Sequence, residues 1–369
     1  MMKRLLLPLL LPLALRAQVL VESLPEPGVQ PQVAVTAAGV VHLVYLLGDP
    51  AACDVRHTTR PAQGGPWSAP VTVNSVPRSA VAAGTIRGAQ LALGREGSVQ
   101  VVWNSNTGGH KEHMGRAPLL HARLPPGAGA FSPQQDLMGG TAALDGGASI
   151  AADGRGRVSI VWHAAPAGAA GEGARLVYAR HSADDGRTFS EPQPLNEEKP
   201  GVCACCSLRA HLAADGTLTV LYRGAPEPAA RGMIQLTHGA GRTTLTPLDD
   251  WRVARCPMSS ASLLPAGPSL RAAWENDGQI LTGLLGEPAA AAQKIGPGNA
   301  KHPALAQNAR GQTLIASVIG SGWAKAGTLR WDLLEAQGTP ADSGEGGKLP
   351  VWSHPAAYAR PDGTFVILR

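Results

Sequence analysis

The residues best equipped for chemistry sit in Gly201-Val-Cys-Ala-Cys-Cys-Ser-Leu-Arg209, which holds three of the chain's five cysteines. A fourth, Cys256, follows in the next repeat. Thiols oxidise in pairs to disulfides, and as thiolates they bind soft metals. When the apolar openings Ala210-His-Leu-Ala and Ala261-Ser-Leu-Leu are set against each other, Cys205 falls on Cys256. Two sulfurs at one height in consecutive repeats predict a disulfide from Cys256 to Cys205 or Cys206, worth about 2–4 kcal/mol if unstrained. A bond between the adjacent Cys205 and Cys206 would close a strained small ring, and Cys203 can join another of the set. The alternative is a metal site, in which Cys203, Cys205, Cys206 and Cys256 combine with His110 and His113, or with His163 or His302. Thiolate and imidazole together suit copper or zinc. The spacing lacks the two Cys-x-x-Cys pairs of a zinc ribbon, and His110-Lys-Glu-His113 reads more simply as a solvated polar loop. No cofactor is the first expectation, with copper or zinc as the alternative. Cys53 stands apart and reads as a buried free thiol.

Tryptophan offers a second kind of chemistry, since an indole face can stack on a sugar ring. Trp162 and Trp274 close apolar runs and read as packing. Trp323, between Gly322 and Lys325, and Trp352 are the binding candidates. His302 joins them as a polar contact.

The elements that must position these residues come from a repeat. An apolar strand, a turn with Gly, and a β-branched strand often closed by an aromatic recur seven times. Examples are Ala89-Gln-Leu-Ala-Leu to Val101-Val-Trp103 and Ala148-Ser-Ile-Ala-Ala to Ile160-Val-Trp162. The second strands alternate with period two. A second strand pair lies between hairpins, as in Arg175-Leu-Val-Tyr-Ala-Arg180 followed by Phe189-Ser-Glu-Pro-Gln-Pro-Leu195. Four-stranded units at this period are propeller blades. The expected fold is an all-β propeller of seven blades, with six as the alternative. Val19-Leu-Val-Glu-Ser-Leu24 has no hairpin of its own and is expected to close the ring against the last blade.

With strands named a to d from the axis outward, the d-to-a connections and b–c loops share one face. Arg87, Asp145, the clustered cysteines, Arg209, Cys256, Lys301, His302, Trp352 and His354 fall in connections. Asn104, His163, Arg223, Arg231, Glu275 and Trp323 fall at or in b–c loops. The a–b turns hold ordinary turn residues such as Asp215-Gly216. The candidate site therefore lies over the axis on the connection face.

Composition sets further bounds. Among 369 residues there are 45 Gly and 31 Pro, a turn-rich chain. Met1-Met-Lys-Arg is followed by a short Leu-rich run ending at Ala17, which reads as a signal peptide over 1–17. The expectation is export to the periplasm or extracellular space, with one domain over 18–369. Loss of Lys3, Arg4 and Arg16 would lower the formal charge from +5 to about +2. No basic tract of the kind nucleic acid needs is present. No segment beyond the leader is long enough to span a bilayer, and a monomer is expected.

Ser182-Ala-Asp184-Asp-Gly186-Arg-Thr-Phe189 matches Ser-x-Asp-x-Gly-x-x-aromatic, the Asp-box of sialidase-like propellers. The aspartate can accept turn N–H groups, Gly186 permits the tight backbone, and Phe189 can pack beneath the outer strands. The chain from about Val29 onward also resembles a group of exported bacterial sialidase-like (BNR/Asp-box repeat) proteins. That likeness rests on Ile86-Arg87-Gly-Ala-Gln-Leu, the cysteine segment, Arg255-Cys256-Pro-Met-Ser-Ser, Ala273-Trp-Glu275, Lys301-His-Pro303 and Val351-Trp-Ser353. The resemblance implies a sialidase-like propeller that recognises a glycan or other small polar ligand at its axial face; if the chain is an enzyme, the expected class is a glycoside hydrolase of exo-α-sialidase type. Sialidases grip a carboxylate with three arginines, and Arg87, Arg223 and Arg231 are the residues available for that grip. Asp145 would be the acid/base and Glu275 the support of a nucleophile. No tyrosine is clearly placed beside them. The alternatives are a non-catalytic binding or scaffold propeller stapled by cysteines, and a metalloprotein with a Cys/His site.

Overall fold

A computed structural model describes residues 17–106, 118–138, 141, 144–288 and 291–369. The leader up to residue 16, with His110 and His113, lies outside the described residues. Six four-stranded sheets span 29–72, 90–136, 149–194, 209–247, 262–295 and 300–348. These are blades 1 to 6. Blade 7 has three strands: Ala356–Ala359, Phe365–Leu368 and, third, the N-terminal Val19–Glu22. The fold is a seven-bladed β-propeller, and seven is the number of hairpins in the sequence.

Ring closure runs through this composite blade. Val19–Glu22 lies parallel to Phe365–Leu368, with Val19 opposite Phe365 and Glu22 opposite Leu368. The Phe365 N–H donates to the Gln18 carbonyl at 2.8 Å, and the Arg369 N–H to that of Glu22 at 3.0 Å. The Glu22 carboxylate meets Arg60 of blade 1 at 2.7 Å and Arg360 of blade 7 at 3.1 Å. Backbone pairing and charge thus join the two ends of the ring at the same strand.

The second strands explain how blades stack. Val99–Asn104, Val158–Ala164 and Leu218–Arg223 are buried at every residue. Alternation in their sequences predicts one dry and one wet face, yet both faces are dry. A blade is covered by a neighbour on each side, so the polar positions face protein: Gln100, Ser159 and Thr219 are all buried. Gln100 accordingly pairs with His121 at 3.0 Å and with the Asp185 carbonyl at 2.9 Å.

The closing aromatics have a directional role. Trp103 packs on Val44 and Leu46 of blade 1, and Trp162 on Val102 and Leu119 of blade 2. Tyr222 packs on Val161 and Val177 of blade 3, Trp274 on Leu221 and Met233 of blade 4. Tyr45 meets Tyr358 and Val366 of blade 7. Each therefore fills the gap toward the preceding blade. Successive side chains on a strand point to opposite faces, so the residue after each aromatic points toward the following blade.

The turn at 182–189 is organised by its acids. Asp184 accepts the Thr188 N–H at 2.9 Å, the Arg187 N–H at 3.1 Å and the Ser182 hydroxyl at 2.8 Å. Gly186 sits at φ 77°, where a side chain would be strained. Phe189 stands edge-on to His121, with ring centroids 5.1 Å apart. Asp185 reaches outward to blade 2, pairing with Arg123 and accepting the Arg95 N–H at 2.7 Å.

Phe365 is fully buried where closure and core coincide. Phe365→Ala is expected to cost about 3–5 kcal/mol in urea unfolding. Val76→Ala, at a position 55 % exposed, is expected to stay within about 0.5 kcal/mol. Equal small effects would contradict the placement of the seam.

Candidate functional site

The residues that follow the closing aromatics are Asn104, His163, Arg223 and Glu275. All four latch onto the next part of the ring. Asn104 Nδ2 donates to the Gly146 carbonyl at 3.0 Å, in the connection from blade 2 to blade 3. His163 Nε2 bonds the Cys206 carbonyl at 3.2 Å, in the connection from blade 3 to blade 4. The Arg223 guanidinium donates to the Ser259 hydroxyl at 3.3 Å, the Glu275 carbonyl at 2.7 Å and the Arg231 carbonyl at 2.6 Å. The Glu275 carboxylate lies 3.9 Å from Lys301, in the first strand of blade 6. Gly146 fits only because it lacks a Cβ, which would fall 2.1 Å from the Cys206 carbonyl oxygen.

These latches decide what the three arginines do. Arg87 donates Nε to the Asp145 carbonyl at 2.9 Å, and its Nη2 pairs with the Asp145 carboxylate. Arg223 is fully buried and stacks over Trp251, 4.6 Å from the ring centroid. Arg231 is buried and pairs with Glu172 at 2.7 Å. The structure brings Arg87 and Asp145 together, whereas Arg223 and Arg231 brace blade 4 against its neighbours. Glu275 is buried, with one carboxylate oxygen unpartnered. His302 is buried too, its Nδ1 3.2 Å from the Ser260 hydroxyl, so it lies beneath the surface rather than on it.

On the side of the rim where blades 6, 7, 1 and 2 meet, side chains remain open. Trp323 is 52 % exposed and stands edge-on to Trp352, centroids 6.5 Å apart. Gly84 lies beside both Trp323 and Arg87: a Cβ there would sit 3.0 Å from the indole and 3.2 Å from the guanidinium. Gln30, fully buried at φ 55°, donates its side-chain Nε2 to the Ala82 carbonyl at 2.6 Å and its backbone N–H to the Ser353 hydroxyl oxygen at 3.2 Å. The Trp352 indole N–H and Gln30 Oε1 have no partner among the described residues. The site thus offers an open aromatic face and a fixed Arg–Asp pair, with the unmet donor and acceptor buried beneath them. Sequence reasoning missed Gln30, because its role depends on a left-handed backbone that no residue type announces.

A cavity of about 440 Å³ lies along the axis, bounded by inner strands of blades 1, 5, 6 and 7. Arg209 projects into it, holding the Gln32 side-chain oxygen at 3.2 Å and the Ala261 carbonyl at 3.0 Å. Burial lowers its pKa to about 10, which leaves the guanidinium charged at neutral pH. His354 lines the same cavity, and its Nε2 lies 3.3 Å from where a Cβ on Gly88 would be.

On the opposite side of the rim, Cys205 and Cys256 are joined by a disulfide that links the connections before blades 4 and 5. The repeat alignment had left Cys205 and Cys206 as alternatives, and the bond goes to Cys205. Cys53, Cys203 and Cys206 are free and buried. The Cys203 sulfur lies 3.4 Å from that of Cys205 and 3.5 Å from that of Cys206. Of the sulfur set named as an alternative metal site, Cys203, Cys205 and Cys206 converge within 4.8 Å, with Cys205 engaged in the disulfide. Burial resists ionisation of Cys206, but the Cys203 S–H and the Arg223 charge outweigh it and lower the Cys206 pKa. Cys203 moves the opposite way, first by donating that bond and then by burial. Cys203 keeps the proton.

No protein-family model and no curated protein matches the chain. Solved structures match it in fold. A protein of unknown function from Dyadobacter fermentans is 13 % identical with a TM-score of 0.57, covering 91 % of this chain and 98 % of its own. A lectin of Aleuria aurantia in complex with alpha-methyl-L-fucoside is 10 % identical with a TM-score of 0.54, covering 88 % and 95 %. The Hadza microbial sialidase Hz136 is 13 % identical with a TM-score of 0.50, covering 84 % and 69 %. At these identities the likeness is one of fold: the chain is a β-propeller.

Two outcomes follow for the latches and the staple. Cys256→Ser is expected to lower stability by about 2–4 kcal/mol in urea unfolding under non-reducing conditions; an unchanged midpoint would show that the bond does not constrain the ring. Burial, reinforced by the Arg175 charge, lowers His163 to about 3, and the Cys206 carbonyl bond only partly opposes it. Burial, then the Arg123 charge, lowers His121 likewise to about 3. The unfolded chain, with histidines near 6.5, therefore binds protons first, and stability is complete above that pH and lost as pH falls toward 3. The urea midpoint is expected to drop between pH 7 and pH 5, a window above most carboxylate titration. A flat profile there would mean that the buried histidines are not neutral.

Proposed function

We propose that the protein is a glycan-binding propeller that takes a sugar at the Trp323–Trp352–Arg87–Asp145 patch of its axial face. The observation that carries the reading is the half-exposed Trp323 ring beside a fixed, partly open ion pair. A sugar presents a C–H face that suits an indole and a fringe of hydroxyls that both donate and accept. Asp145, 45 % exposed at its side chain, would accept from hydroxyls, and the Arg87 guanidinium would donate to them. Propellers of similar fold that carry a lectin's or a sialidase's name support a carbohydrate ligand.

Recognition without cleavage is the version we favour. Glu275 is buried beside Lys301, and Arg223 is closed off from solvent, so neither is free to act on a ligand at the surface. The reading includes export through the 1–17 segment, for which N-terminal sequencing of the exported chain should begin at Gln18.

A glycan array followed by calorimetry tests the proposal. Trp323→Ala is expected to weaken binding of the best glycan by about tenfold or more, with little change in melting temperature. Release of fluorophore from a sialoside panel is expected to be absent. Failure of every glycan to bind, or wild-type affinity in Trp323→Ala, would end the reading. Turnover of a sialoside would instead restore hydrolysis.

A further inference from the structure

The sulfur cluster belongs to another sector of the rim and does not depend on the glycan reading. Four cysteines meet there, of which Cys203 and Cys206 are buried and Cys256 is exposed. The Cys203 sulfur is poised between two others, 3.4 Å from Cys205 in the disulfide and 3.5 Å from Cys206. A structural staple needs only its own two sulfurs. Here a free thiol touches the staple, and a second free thiol touches the first.

We propose that these four cysteines form one thiol–disulfide exchange unit, in which the bond passes from Cys205–Cys256 at the rim to Cys203–Cys206 inside. The product is a free thiol at the exposed Cys256, available to exchange with low-molecular-weight disulfides. The steps balance without an outside oxidant. The unit starts with Cys203 as the thiol and Cys206 as the thiolate; for the exchange, the proton crosses their existing hydrogen bond to Cys206, and the Cys203 thiolate attacks the Cys205 sulfur. The Cys203–Cys205 bond forms, the Cys205–Cys256 bond breaks, and Cys256 leaves as a thiolate into solvent. Cys206 then attacks the Cys203 sulfur, and its proton passes to the departing Cys205. The Cys203–Cys206 bond forms, and Cys205 departs and takes up a proton. One disulfide is present at the start and one at the end, so no electrons are gained or lost.

The fifth cysteine supplies the control. Cys53 is 1 % exposed in blade 1, where burial pushes its pKa up to about 12, so it reports only on unfolding. The test uses full-length, unreduced protein whose three free thiols per chain are confirmed by thiol counting. The folded chain is incubated with iodoacetamide, quenched in acid and mapped by mass spectrometry. Cys256 is expected to be alkylated at least about tenfold faster than Cys53, in molecules that carry a Cys203–Cys206 bond. Alkylation of Cys256 no faster than Cys53 would overturn the proposal. So would alkylation of Cys203 and Cys206 while Cys205–Cys256 persists. Cys203→Ala removes the attacking sulfur and adds no bulk to the site. It should slow Cys256 alkylation by about tenfold or more, and an unchanged rate would also overturn the proposal.

Discussion

A ring of blades holds together only if its seam closes, and here the seam is one short strand. Val19–Glu22 lies along Phe365–Leu368, and Glu22 reaches the arginines of blades 1 and 7. Without it, blade 7 would show an open strand edge and the ring would have two ends. With it, each second strand is enclosed by the blades on either side. Enclosure removes the wet face that an antiparallel sheet ordinarily keeps. Polar side chains on those strands must then find partners in protein, because an unpaired buried polar group costs about 1–3 kcal/mol.

That constraint accounts for much of the axial rim. Asn104, His163, Arg223 and Glu275 share one place in the repeat, directly after an aromatic that packs backward. Each contacts the next stretch of the ring, and three of them do so through hydrogen bonds to connections. Side chains that resemble catalytic equipment are largely occupied in holding neighbouring blades together. What stays available is divided in two. The sector of blades 6, 7, 1 and 2 carries open aromatic and polar groups. The sector of blades 3 to 5 carries sulfur.

Cysteine and tryptophan thus do separate work on one face. The disulfide ties consecutive connections where Arg223 and His163 also tie them, so covalent and polar latches coincide. The Trp323 sector lacks a covalent tie, and unmet buried groups occur in both sectors: the Trp352 N–H and Gln30 Oε1 here, Ser207 Oγ and Glu275 Oε2 there.

Local pattern by itself determined the blades. Apolar–Gly–apolar hairpins, closing aromatics and an unpaired first strand follow from side-chain period and turn chemistry, which are properties of neighbouring residues. The match of Cys205 with Cys256 was legible for the same reason, since equivalent positions in consecutive repeats fall at equal height. Tertiary structure decided which face each polar residue met. Arg87, Arg223 and Arg231 look alike in sequence, yet only Arg87 remains beside an open carboxylate, and Glu275 and His302 are enclosed. Gln30 entered the site through a left-handed backbone, and Cys203 came to rest between two sulfurs. These outcomes depend on the blade next door, and a strand's sequence encodes its own alternation without encoding what its neighbour presents in return.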